Sequence, residues 1–157
     1  MHNLKEIKIY TDGASSGNPG PGGYGVILKY GEKTKNLSGG FRCTTNNRME
    51  LLAVIEGLRA LKEKCSVKVY SDSSYVVNAV NLGWLAKWEK DNWKKKTKPV
   101  PNNDLWILLK SLLQSHNVEF HWVRGHNGHP ENELCDKLAV AASKLPGLPE
   151  DEGYIKK

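Results

Sequence analysis

The chain has 157 residues, of which 39% are hydrophobic and 25% charged, and a formal net charge of +6. Its pI is near 9.2 and its mean hydropathy is −0.54. That length supports one domain with a substantial core, and the composition is that of a soluble globular protein rather than a disordered or fibrous one. No apolar run is long enough to span a membrane, and residues 1–6 show no apolar leader core. Cys43, Cys65 and Cys135 are odd in number and widely spaced, so free thiols in a reducing, cytoplasmic setting are expected instead of a disulfide frame. The positive charge suits a polyanionic partner without singling one out.

A strand pattern that ends on an aspartate is written twice. Residues 7–13 read Ile-Lys-Ile-Tyr-Thr-Asp-Gly and residues 67–73 read Val-Lys-Val-Tyr-Ser-Asp-Ser. Both alternate with period two, as strands do. A helix-like segment separates them, and a parallel return needs such a crossover, so the two copies are expected as parallel neighbours in an α/β sheet. Asp12 and Asp72 then emerge side by side at the carboxyl ends of their strands, where open α/β sheets place their sites.

Between the copies, residues 13–23 read as a turn with no regular element. The GxGxxG match at residues 20–25 lacks the following helix, and no P-loop lysine follows, so neither nucleotide motif is supported. Residues 24–30 and 33–42 are expected to form a hairpin across Gly31 and Glu32. Thr44, Thr45, Asn46 and Asn47 offer capping side chains before a helix whose stripe is Leu51, Ile55, Leu58 and Leu61. Glu50 is placed in its first turn, where an acid is common for dipole reasons alone.

Ser73 is expected to cap a short helix over residues 74–81. Residues 84–98 are the most unusual stretch: Trp84, Trp88 and Trp93 stand among six lysines and two acids, a local charge of +4. A satellite core with a solvated lysine face explains this, and so does a nucleic-acid groove of interleaved basic and aromatic side chains. Asn102 or Asn103 then caps a helix with Leu105, Leu108, Leu109, Leu112 and Leu113 inward, and residues 118–123 alternate as a strand. A loop at 124–129 precedes a last helix started by Pro130, with Leu134, Leu138, Ala141 and Leu145 as its expected core stripe. Asn132 and Asp136 share a face of that helix. Residues 146–157, rich in proline and charge, read as a loose tail.

Two close carboxylates need a proton or a cation between them. Hard oxygen ligands suit Mg²⁺ or Mn²⁺ better than zinc. His126, His129 and Cys135 lack the further Cys/His pair that a zinc site needs.

The motifs at residues 11–13, 18–25, 44–51, 71–73 and 125–136 together resemble type 1 ribonuclease H, in order, over about residues 6–145. The resemblance implies a five-stranded mixed sheet whose second strand is antiparallel, flanked by helices. It implies one domain over residues 1–145, with residues 84–98 similar to the basic protrusion of bacterial members. It also implies cleavage of RNA paired to DNA, leaving 5′-phosphate and 3′-hydroxyl ends, by a monomer with no obligate protein partner. Asp12, Glu50, Asp72 and Asp136 become the metal-binding and catalytic carboxylates, and His126 a mobile catalytic histidine. The cofactor implied is a pair of Mg²⁺ ions, with Mn²⁺ as a substitute. Two such ions about 4 Å apart can activate water, neutralise the phosphate and stabilise the leaving oxygen. Asn18, Thr45, Asn46 and Asn47 become strand-contacting residues. Trp84, Trp88, Lys94, Lys95 and Lys96 are expected to bind substrate on the protrusion. One departure is Cys43, where many members carry a basic residue; Arg42 one place earlier faces the other way.

Three rivals share parts of this pattern. An integrase or transposase core uses similar metal chemistry on DNA but carries a different third acid. A catalytically dead hybrid-binding module would lack one of the four acids. A basic structural domain leaves the repeated strand–Asp unit unexplained.

Overall fold

The computed structural model describes residues 4–124 and 129–155. In chain order the elements are β1 (Lys5–Ser15), β2 (Gly20–Tyr30), β3 (Lys33–Thr44), α1 (Asn46–Arg59), β4 (Cys65–Ser71), α2 (Ser74–Asn81) and α3 (Trp84–Lys90). A two-residue ribbon, β5 (Lys94–Lys95) and β6 (Lys98–Pro99), leads to α4 (Asn103–Ser115), β7 (Asn117–Trp122), α5 (Pro130–Ser143) and α6 (Glu152–Ile155). The main sheet has the order β3-β2-β1-β4-β7. β2 is antiparallel to both β1 and β3, whereas β4 is parallel to β1 and to β7.

The two strand–Asp copies pair as neighbours, in register from Lys5↔Cys65 through Tyr10↔Tyr70 to Thr11↔Ser71. Their alternation explains the layering. Ile7, Ile9, Val67 and Val69 enter the main core with Leu51, Val54, Ile55 and Leu58 of α1 and Trp106 and Leu109 of α4. On the opposite face Tyr10 and Ile27 pack with Cys135 of α5.

The glycine-rich stretch is not the structureless turn expected from its composition. β1 continues to Ser15 and β2 begins at Gly20, which leaves only residues 16–19 between them. The reason is contact with α5. A Cβ on Gly23 would run into the Ala139 carbonyl oxygen, and one on Gly25 into that of Cys135. Helix backbone therefore lies directly on strand backbone, an approach that only glycine permits.

The same packing overturns most of the expected stripe of α5: Leu138 is half-buried against Tyr10, Ile27 and Cys135, but Ala141 is exposed. Asn132, Cys135, Ala139, Ala142 and Ser143 are buried, whereas Leu134 and Leu145 are 41% and 58% exposed. Bulky side chains do not fit over the glycines, so the small ones turn inward.

Residues 146–155 are docked instead of loose. Arg42 N–H donates to the Pro149 carbonyl at 2.9 Å, and Asp151 is buried at 7% exposure. Thr44 Oγ1 donates to Asp151 Oδ2 at 2.6 Å, and Arg48 Nε donates to the same oxygen at 2.7 Å. Burial of an ion pair with these hydrogen bonds holds a segment that has little apolar surface of its own.

Candidate functional site

The register that aligns Thr11 with Ser71 puts Asp12 and Asp72 just past the last paired rung of β1 and β4. The start of α1 brings the third acid. Thr45 is its N-cap, accepting from Arg48 N–H at 3.2 Å. Glu50, the fifth residue of α1 and one turn further in than expected, points back at the strand ends. Gly13 makes this approach possible, because a Cβ there would run into the Glu50 backbone nitrogen. One ligand oxygen from each of Asp12, Glu50 and Asp72 lies within 4.8 Å of the others.

Asp12 is 3% and Glu50 6% exposed. Burial pushes the Glu50 carboxyl well above its ordinary range, and the charges of Asp12 and Asp72 push it further, against a hydrogen bond from the Gly13 N–H. The Gly13 N–H also bonds Asp12 Oδ1 at 2.9 Å. Asp72 is held from behind, where Trp122 Nε1 donates to its carbonyl at 3.2 Å.

These observations allow a test of fit for a divalent ion. Three hard carboxylate donors converge, and Glu50 Oε1 is buried without a hydrogen-bond donor. A cation of the Mg²⁺ or Mn²⁺ kind would relieve both the repulsion and the lost hydration. The residues present fit such an ion.

Asp136 stands half-buried on α5, outside the 4.8 Å group of three. It lies one turn beyond Asn132, whose amide donates to the Thr11 and Tyr70 carbonyls. His126 lies outside the described residues.

Among the expected substrate contacts, Asn18 Oδ1 accepts from Asn46 N–H at 3.0 Å. This joins the β1–β2 turn to the start of α1, with Asn18, Asn46 and Asn47 all exposed. Arg42 turns to Glu150 at 2.9 Å. On the protrusion, Tyr75, Trp84, Lys87, Trp88, Lys94 and Lys96 help to line a groove of about 600 Å³. Trp84 is 41% exposed, but Trp88 is only 9% exposed and packs on Trp106 at 5.3 Å between ring centroids. Trp88 thus anchors the protrusion to the core, and Lys95 lies over its ring at 5.7 Å. Lys94, Lys95 and Lys96 are exposed.

The RNase H family model matches residues 4–144. The chain belongs to the RNase H family. A Ribonuclease H of Desulforamulus reducens is 63% identical over 150 residues, covering 95% of this chain and 94% of that protein. A Ribonuclease HI of Pasteurella multocida is 54% identical, covering 96% of this chain and 97% of the relative. Among solved structures, LC9-RNase H1, a type 1 RNase H with the type 2 active-site motif, superimposes with a TM-score of 0.82 at 33% identity. The match covers 91% of this chain and 74% of that one. LC11-RNase H1, solved in complex with an RNA/DNA hybrid, gives 0.67 at 25% identity over 87% of this chain and 95% of its own. The chain is a bacterial type 1 RNase H, with the five-stranded mixed sheet of that family.

Sequence reasoning assigns no role to three residues that support this RNase H site. Asp151 falls in the expected tail, Arg48 is only part of the 44–51 motif, and Trp122 only part of the 118–123 strand. Trp122 lies opposite Ser71 on the last β4–β7 rung, one residue before Asp72.

Proposed function

We propose that this RNase H is an endonuclease that hydrolyses the RNA strand of RNA/DNA hybrids and leaves 5′-phosphate and 3′-hydroxyl ends. The single observation that carries the reading is the convergence of Asp12, Glu50 and Asp72 within 4.8 Å at the strand ends of an RNase H fold. In this proposal those three acids and Asp136 hold a pair of divalent ions, Mg²⁺ or its substitute Mn²⁺. When bound, such ions supply an activated water, a neutralised phosphate and a stabilised leaving 3′-oxygen.

The protein's own part is placement. β1 and α1 hold Asp12 and Glu50 through the bare backbone of Gly13. The joined turn of Asn18 and Asn46, with Thr45 and Asn47 beside it, contacts the nucleic-acid strands from one side. Such contacts read A-like shape and 2′-hydroxyls instead of base edges. Lys94, Lys95 and Lys96 neutralise backbone phosphates further along, next to the open face of Trp84. His126 carries protons or assists product release without ligating metal.

The catalytic unit proposed is a single domain of residues 1–145 with the 84–98 protrusion, onto which residues 146–155 dock, acting as a monomer in the cytoplasm. The three free cysteines support that compartment. No helix among the described residues is long and apolar enough to cross a membrane.

The test is to incubate labelled RNA/DNA hybrid, duplex DNA, duplex RNA and single strands with the protein, in Mg²⁺ or in EDTA. Only the RNA of the hybrid is cut, and only with the ion. Full cutting in EDTA, or equal cutting of duplex RNA, overturns the reading.

A further inference from the structure

Asp12 and Asp72 carry like charges on neighbouring parallel strands, and the strand ladder stops at Thr11↔Ser71, one rung before them. The acids therefore sit at the very end of the β1–β4 ladder, where no further rung backs up the last one. A cross-link from outside the sheet lies at this point. Asn132 of α5 is 1% exposed, and its Nδ2 donates to the Thr11 carbonyl at 3.4 Å and to the Tyr70 carbonyl at 3.2 Å.

Both partners are carbonyl oxygens and only accept. The amide nitrogen, with its two hydrogens, is thus the end that faces them. One nitrogen spans two strands, bonding the residue before Asp12 on β1 and the residue two before Asp72 on β4. The side chain also ties both strands to the helix that carries Asp136 one turn later.

We propose, resting on the metal-dependent reading above, that Asn132 is a positioning residue. Its amide sets the separation of the strand ends, and through them the affinity of the carboxylate cluster for a divalent cation. It touches neither substrate nor ion; it acts through Asp12 and Asp72. Outer partners that orient metal ligands typically change metal affinity 10–100-fold when removed. The lower end suits a residue acting through backbone.

The experiment is Mg²⁺ titration by calorimetry on the full chain without substrate, for the parent, Asn132→Leu and Cys135→Ala. Asn132→Leu keeps the bulk and removes both donors. Cys135→Ala removes the neighbouring Sγ–H bond to the Tyr10 carbonyl, 3.2 Å, one residue further from the acids. Asn132→Leu is expected to weaken Mg²⁺ binding about tenfold, with KM for the hybrid within twofold of the parent at saturating Mg²⁺. Cys135→Ala is expected to bind Mg²⁺ as the parent does. If Asn132→Leu does not fold, Asn132→Ser carries the test, with an expected loss between parent and tenfold because one donor remains. Parent-like Mg²⁺ affinity in a folded Asn132 variant overturns the proposal, and so does equal weakening in Cys135→Ala. A parent that neither binds Mg²⁺ nor cuts hybrid overturns the functional reading itself.

Discussion

The carboxylate of Asp151 accepts a 2.7 Å hydrogen bond from Arg48, two residues before Glu50 on α1. Arg48 is 1% exposed and also donates to both oxygens of Asp104, at 2.9 and 2.7 Å. One guanidinium therefore joins the C-terminal segment, α1 and the start of α4. The planar, always-charged fork suits two carboxylates where a lysine would not. Burial works against its charge, yet the hydrogen bonds and charges of Asp104 and Asp151 outweigh burial and raise the Arg48 pKa.

Asp151→Asn leaves Arg48 with one full carboxylate partner. Breaking a buried pair outright costs roughly 3–5 kcal/mol. Because Asp104 stays, the expected loss is about 2 kcal/mol, a fall in Tm of about 4–8 °C. Thermal melting checks it, and an unchanged Tm would show that the segment adds no stability through this pair.

Asp12→Asn is expected to abolish cleavage and to raise the stability of the metal-free protein by about 1 kcal/mol, given the cost of close like charges. The pH dependence follows from Glu50. Its folded-state pKa lies above the ordinary 4.5, so the folded protein keeps a proton that the unfolded chain releases. Stability is highest below pH 4.5 as far as this group is concerned, and is lost as pH rises through the folded value. Urea denaturation without metal should show that decline, a shallower one in Asp12→Asn, and a gain with Mg²⁺ that is larger in the parent.

His116 gives the opposite slope. Burial, then the charge of Lys64, lowers its pKa below 6.5, and its Nδ1 accepts from Cys65 N–H at 3.1 Å. The unfolded chain binds the proton first as pH falls below 6.5, so stability is full above that pH and is lost as pH falls toward the folded value. His116→Gln should flatten the stability profile below pH 6.5, whatever its effect at pH 8.

Lys94→Ala, Lys95→Ala and Lys96→Ala combined should raise KM for the hybrid and leave kcat close to the parent value. Each lost phosphate contact removes roughly 0.7–0.9 from the slope of log affinity against log salt. Hybrid binding measured from 50 to 300 mM salt checks this, and an unchanged slope returns these lysines to a merely solvated face.

The parts of the site legible in the sequence are those with local patterns. The repeated strand–Asp unit showed itself by alternation, and the parallel register followed from the crossover between its copies. Ser73 and Thr45 read as caps and act as caps, at 3.3 and 3.2 Å. Asp151 was hidden because its partner lies 103 residues away and its neighbours are prolines and charges. The inward face of α5 was hidden for another reason. Hydrophobic periodicity assumes that bulk goes inside, and here backbone contact reserves the inside for Cys135, Ala139 and Ala142. Trp88 sits between both cases: its spacing from Trp84 was plain, but its partner Trp106 was not.

The glycines of β2 carry a consequence for how this enzyme tolerates change. With two backbones already touching, α5 has only one direction in which to move, and that is away from the sheet. A methyl group at Gly25 would act as a wedge beneath the turn of Cys135, Leu138 and Ala139, the turn that also bears Asp136. Substitution there lifts one acid relative to the three seated on β1, α1 and β4, without touching any of them. The stretch that imitates a nucleotide-binding fingerprint is a spacer of zero thickness, and the alignment of the proposed four-acid site across two layers hangs on nothing being added to it.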